Sequence, residues 1–174
     1  MSKKITLLLA FIGMIGLTGC TTEEYYVQGD TYDQDTISEV FEFYGVDFLP
    51  NDYSVYLEFP HAIYTSDMVL VYRLAGVGPE GNEWKLLPET HYFPDGTLDY
   101  GYRNDFTQYS AIVDLYGYDL STLPNAFKLN QMFRVVVIPA FVNKKQTNPV
   151  DVNDYNAVVK AYHIEESKIQ KIKM

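Results

Sequence analysis

Cysteine is nearly absent from this chain. There is one in 174 residues, so no disulfide can close within it, whatever the redox state of its surroundings. Tryptophan also occurs once, and histidine three times. Basic residues are scarce: 13 Lys and Arg stand against 23 Asp and Glu, for a formal charge of −10. That balance excludes the clustered basic footprint by which a domain holds nucleic-acid phosphates. Long apolar runs are missing as well. The stretch Ile5 to Gly16 covers 12 residues, against the ~20 that a membrane-spanning helix needs. What abounds is aromatic: 16 Tyr and 10 Phe, a bias toward strands. With 47% hydrophobic and 21% charged residues, the chain can bury a real core, which excludes disorder throughout.

Residues 1–19 have the layout of a processing segment, to be set aside before any reasoning about fold. Lys3 and Lys4 precede the apolar stretch, which runs into Leu17-Thr18-Gly19-Cys20. This tetrapeptide resembles the lipobox of bacterial lipoprotein signal peptides. The resemblance implies cleavage before Cys20 and a thioether-linked diacylglyceryl on its thiol. Each buried CH₂ contributes about 0.8 kcal/mol, and two chains anchor stably where one does not. The expected membrane partner is therefore reached through the lipid on Cys20, without a spanning helix. Removal of residues 1–19 takes away two lysines and no acid, moving the charge from −10 to −12. Such a charge disfavours close contact with anionic headgroups. The lipidated Cys and residues 21–36, polar and acidic, accordingly predict a linker on which the domain stands off the bilayer. Asp30, Asp33 and Asp35 within it fit no EF-hand spacing. Glu23 and Glu24, just behind Cys20, resemble the surface-export signal of Bacteroidota-type lipoproteins, with a plain solvated linker as the alternative. The expected location is the cell envelope, on the outer membrane, with surface or periplasmic orientation left open.

From Ile37 the pattern turns to period two. Phe41 and Phe43 share a face, Gly45 intervenes, and Val46 and Phe48 resume in opposite phase, which predicts a bulge or bend. Val55, Leu57 and Phe59 read as a half-buried strand. Met68 to Leu74 is apolar on both faces apart from Arg73, Phe133 to Ile138 is nearly continuous and β-branched, and both read as central strands. Further sets are Trp84 with Leu86, then Leu98 with Tyr100 and Tyr102, then the alternating run from Tyr109 to Leu115. Pro94-Asp95-Gly96-Thr97 has hairpin chemistry, and Asp119 to Pro124 suggests one helical turn in a crossover. The expectation for 37–174 is an all-β domain, an antiparallel β-sandwich of immunoglobulin-like or jelly-roll size. One C-terminal amphipathic helix over about 152–163 is expected to cover it, capped by Asp151 or Asp154, with Val152, Tyr155, Val158 or Val159, and Tyr162 in its apolar stripe. The lysine-bearing tail beyond is expected to fray.

Chemistry-bearing patterns are few. His61, His91 and His163 show no metal-ligand spacing, and no nucleophile elbow is present. Gly76, Gly78 and Gly81 spell the letters of a dinucleotide fingerprint, but Pro79 and the strand-like alternation after Gly81 exclude the helix that fingerprint needs. Glu39, Glu42, Asp47 and Glu58 lie opposite apolar neighbours and read as a solvated sheet face, not as a glycosidase pair. No cofactor, metal or catalytic residue is expected, and a carboxylate-dependent hydrolase is the least favoured reading. Aromatics give the one positive hint of binding. Tyr44, Tyr56, Tyr72, Tyr102 and Tyr116 are expected on outer faces, where Tyr serves either cross-strand pairing or contact with proteins and sugars. Trp84, beside the glycine-rich loop, is the best single stacking platform for a sugar, with core packing as its alternative.

Val46-Asp47-Phe48, Tyr53-Ser54-Val55, Val69 to Leu74, and Asp119 to Pro124 followed by Phe133 to Val137 together resemble small envelope lipoproteins of flavobacterial type. Some of those carry a collagen-like Gly-Pro segment after the lipobox, where this chain has acidic residues 21–36. The resemblance implies a shared domain and brings no functional residue with it. The expected function is a non-catalytic structural, adhesive or partner-binding role, with an envelope protein or a glycan as partner. Replacement of the lipobox thiol, Cys20→Ser, is expected to move the protein from the salt-washed membrane pellet to the soluble fraction. Persistence in the pellet would contradict a lipid anchor.

Overall fold

The computed structural model describes residues 37–144 and 148–174. The predicted signal segment, Cys20 and the acidic linker lie outside the described residues. Among the latter, nine strands form two sheets. One has the order β4 (Gly81–Leu86), β3 (Met68–Gly78), β8 (Gln131–Ile138), β1 (Glu39–Val46) and β9 (Gln170–Lys173). The other runs β2 (Ser54–Glu58), β7 (Ser110–Gly117), β6 (Leu98–Phe106) and β5 (Glu89–Tyr92). All pairings are antiparallel except β1 with β9. The chain is thus mostly β, with two sheets facing one another across a shared core as in a β-sandwich.

That core takes alternate side chains from both sheets. Phe41, Phe43, Val71, Phe133 and Val135 come from the five-stranded sheet; Leu57, Tyr102, Val113 and Leu115 come from the other. Gly45 explains how Phe43 and Val46 can both face inward. It sits at φ 73°, and the register with β8 shifts between Tyr44 and Val46. One extra residue in the left-handed region restores the phase, as the sequence predicts. At the tight turn between β5 and β6, the Phe93 and Gly96 amides close on the Thr97 and Phe93 carbonyls.

The five-stranded sheet is buried on both faces, which is why β3 and β8 lack alternation. A second cluster on its outer face joins Val40, Tyr72, Val136 and Ile138 to Tyr155, Val158, Tyr162 and Ile164. The covering segment differs from a single helix over 152–163. Helix α1 (Ala140–Lys144) precedes it, and α2 (Tyr155–Ala161) makes about two turns. Asp154 caps α2 by accepting from the Asn156 and Ala157 amides, while Asp151 is used one step earlier in a turn with Asn153. His163 at φ 53° leaves the helix. The tail does not fray: it forms β9, parallel to β1 with Phe41 opposite Gln170 and Tyr44 opposite Lys173. Period-two signal is weak there because Ile172 alone of its four residues is partly buried.

Gly101 on β6 is a position where a side chain meets its neighbours at once. A Cβ there would lie 2.6 Å from both the Tyr116 ring and the Glu89 carbonyl oxygen. Tyr116 crosses this glycine and hydrogen-bonds Thr90 at 2.8 Å, tying three strands together. Gly101→Ala is expected to destabilise the domain by about 1–3 kcal/mol, read as a lower urea midpoint. An unchanged midpoint would contradict this packing.

Candidate functional site

Strand register brings Leu86, Tyr72, Arg134, Glu42 and Lys171 into one transverse row on the outer face of the five-stranded sheet. Arg134 is the centre of that row. Its Nε donates to Glu42 at 2.9 Å, and its Nη1 donates to the Tyr155 hydroxyl at 2.8 Å and to Glu166 at 3.0 Å. The guanidinium lies 4.4 Å from the centre of the Trp84 ring and 5.1 Å from that of Tyr155. Lys171 reaches the second Glu42 oxygen at 3.2 Å. Burial raises the Tyr155 phenol above its ordinary pKa, so it stays protonated. Glu42, expected on a solvated face, is buried. The segment after residue 148 covers that face, and period two alone cannot show it.

Beside this row lies a cleft of about 480 Å³. One wall is the β3–β4 hairpin from Gly78 to Lys85, and the other is Asn153 to Asn156, leading into α2. At Gly78 of the hairpin the Glu83 carboxylate lies across the backbone, 2.5 Å from where a Cβ would stand. Gly81, at φ 115°, makes the reversal. No helix follows Gly81, so no phosphate cradle forms. Trp84 lines the cleft while its ring packs on Arg134 and, tilted, on Tyr155 at 5.8 Å. Both readings of Trp84 therefore meet in one residue: it is half-buried against Arg134 and Tyr155 and also lines the cleft.

The tyrosines expected on outer faces divide. Tyr56 is 58% exposed and Tyr44 is at the exposed margin, with Tyr116 half-buried. Tyr72 and Tyr102 are fully buried, which corrects their expected placement. Tyr72 donates to the Val152 carbonyl at 2.6 Å beneath the C-terminal segment. Tyr102 points into the core between the sheets and donates to the Phe127 carbonyl. Neither can stack on a ligand, and neither is near Tyr56 in the register of its sheet.

A second ionic cluster clamps the sheets together. Arg73 of β3 donates from Nε and Nη2 to the two oxygens of Glu89 on β5, each at 2.9 Å. His91 bonds the same carboxylate at 2.7 Å and stacks on Tyr100 with ring centres 4.4 Å apart. Arg73 also lies 4.6 Å from the centre of the Tyr102 ring. Both Glu89 oxygens are thus engaged, and the arrangement works as a clamp. His61 pairs with Glu39 at 3.0 Å, and His163 is exposed. Among the described residues, no three His, Cys, Asp or Glu stand together to hold a metal ion, and no helix is long and apolar enough to cross a membrane.

The nearest thing to a signal for the cleft was Trp84 next to a glycine-rich loop. Its other wall, Asn153 to Asn156, is distant in sequence and has no motif of its own. No family model, curated protein or solved structure matches this chain.

Burial works against the Glu89 carboxylate, but the hydrogen bond and charge of Arg73, with His91 behind them, prevail and hold its carboxyl below the ordinary value. A group depressed on folding contributes its stability in full above the unfolded value and loses it as pH falls through the folded one. Thermal stability is expected to fall on acidification below about pH 4.3, and Glu89→Gln is expected to flatten that acid limb. Melting curves taken across the acid range check this; equal slopes in both proteins would contradict it.

Proposed function

We propose that this chain is an envelope lipoprotein, anchored through acyl chains on Cys20, whose folded domain is a non-catalytic adhesive or partner-binding module. The lipobox-like Leu17-Thr18-Gly19-Cys20 supports the anchor, and the acidic residues 21–36 supply the reach. The observation that carries the binding role is the exposure of aromatics that a protein of this size has core enough to hide. Tyr118 is 84% exposed, Tyr92 64%, and Phe93 41%. Phe93 and Tyr118, with Leu98, rim an open apolar depression where β5 turns into β6. Large flat aromatic side chains, two of them with polar tips, near one hairpin suit capture of another protein.

The finer architecture belongs to the same reading. The sheets make a sandwich of immunoglobulin-like or jelly-roll size, and α2 with its flanks acts as the amphipathic cover of one face. An orientation toward the cell exterior fits Glu23 and Glu24 close behind Cys20. The alternative of a glycan-binding surface lipoprotein is favoured by a different observation, the cleft beside Trp84.

Protease treatment of intact cells, followed with a C-terminal epitope, tests the placement. Loss of the epitope while a periplasmic control survives is expected. Survival until lysis would contradict outward display and turn the role toward assembly inside the envelope.

A further inference from the structure

The cleft between the β3–β4 hairpin and the start of α2 has the chemistry of a ligand site. Its volume of about 480 Å³ lies within the roughly 300–1,000 Å³ typical of small-molecule sites. Its walls come from segments far apart in sequence, held in place by the Arg134–Trp84–Tyr155 stack. The cleft is therefore fixed by the fold and does not depend on loop flexibility alone. Trp84 offers it apolar aromatic surface. Asn82 and Asn156 line opposite walls, and their side-chain amides have no hydrogen-bond partner among the described residues.

The charge and donor pattern select the ligand. Glu80, Glu83 and Asp154 outnumber Lys85 around the rim, in a chain of net charge −10. That field repels phosphates, sulfates and uronic acids. A carboxamide both donates and accepts, which matches hydroxyl groups that also do both. Aromatic carbon beside such amides suits the C–H faces of a pyranose ring. We propose that this cleft binds a neutral oligosaccharide, with Trp84 as its aromatic wall and Asn82 and Asn156 as its hydroxyl-reading groups. The inference rests on the binding-module reading and names a ligand class for a site separate from the Phe93–Tyr118 depression.

Trp84 is the sole tryptophan of the chain, so intrinsic fluorescence reports on this cleft directly. The mature chain is titrated with the neutral trimers of glucose, mannose and N-acetylglucosamine, and with tri-galacturonic acid as the anionic control, in parallel with calorimetry. At least one neutral trimer is expected to give a saturable change in emission with matching heat, and the uronic trimer none. The variant Asn82→Ala/Asn156→Ala is expected to weaken that binding about 10-fold or more with an unchanged melting temperature, since both side chains are exposed. Silence of all three neutral trimers in emission and heat overturns the proposal. So does undiminished binding by the double variant, or equal binding of the uronic trimer. Failure here leaves the surface-protease result untouched, so a missing saccharide site and a misplaced domain are told apart.

Discussion

The cover of the five-stranded sheet depends on a buried cation. Arg134 stands in the middle of β8, itself in the middle of the five-stranded sheet, and its charge must be answered by whatever covers that face. Leaving a buried guanidinium unpaired costs several kcal/mol, so the cover is chemically specified. Glu42 answers from the neighbouring strand, Tyr155 and Glu166 from the C-terminal segment, and Lys171 balances Glu42 from the edge strand β9. Three separate stretches of chain are thereby held to one atom cluster. Burial of Tyr72, Val136, Ile138 and Val158 around it supplies the apolar part of the same interface.

The cleft follows from that cover. Without Tyr155 on Arg134, Trp84 would be an exposed indole on an edge strand, and the hairpin beyond it would face open solvent. With it, the hairpin and the chain from Asn153 to Asn156 become two walls of a cleft. The opposite side of the molecule is organised differently. There the Arg73–Glu89 fork spans the two sheets, and Tyr92, Phe93 and Tyr118 are among the aromatics that stay outside. One ion pair thus fixes a layer on the sheet, while the other fixes sheet to sheet.

Much of this was legible in the sequence, and what was not has a physical reason. Alternation locates most strands, Gly45 announces its bulge, and the two nearly continuous apolar runs, each broken by one arginine, are the central strands β3 and β8. Short elements escaped: β5 has four residues, and β9 has four of which three are exposed, so neither leaves a period. Sequence places Tyr72 and Tyr102 outward on the premise that Phe, Val and Leu fill the core. Each hydroxyl instead finds a backbone carbonyl, which makes full burial affordable. Glu42 reads as solvent-facing because alternation says which face a residue takes but not whether that face is later covered. The cleft was half visible: Trp84 could be singled out, whereas its facing asparagines carry no local pattern. Residues 1–36, including Cys20, are read from sequence alone.

The dependence on Arg134 is tested most directly by a double-mutant cycle with Glu42, using urea unfolding followed by Trp84 emission. Glu42→Leu alone leaves the guanidinium short of its closest counter-charge and is predicted to cost about 3–5 kcal/mol. Adding Arg134→Met removes the orphaned charge, and the double variant is predicted to recover most of that loss, giving a large favourable coupling. Additive losses, with the double variant as unstable as the sum of the singles, would contradict the central place given to this pair.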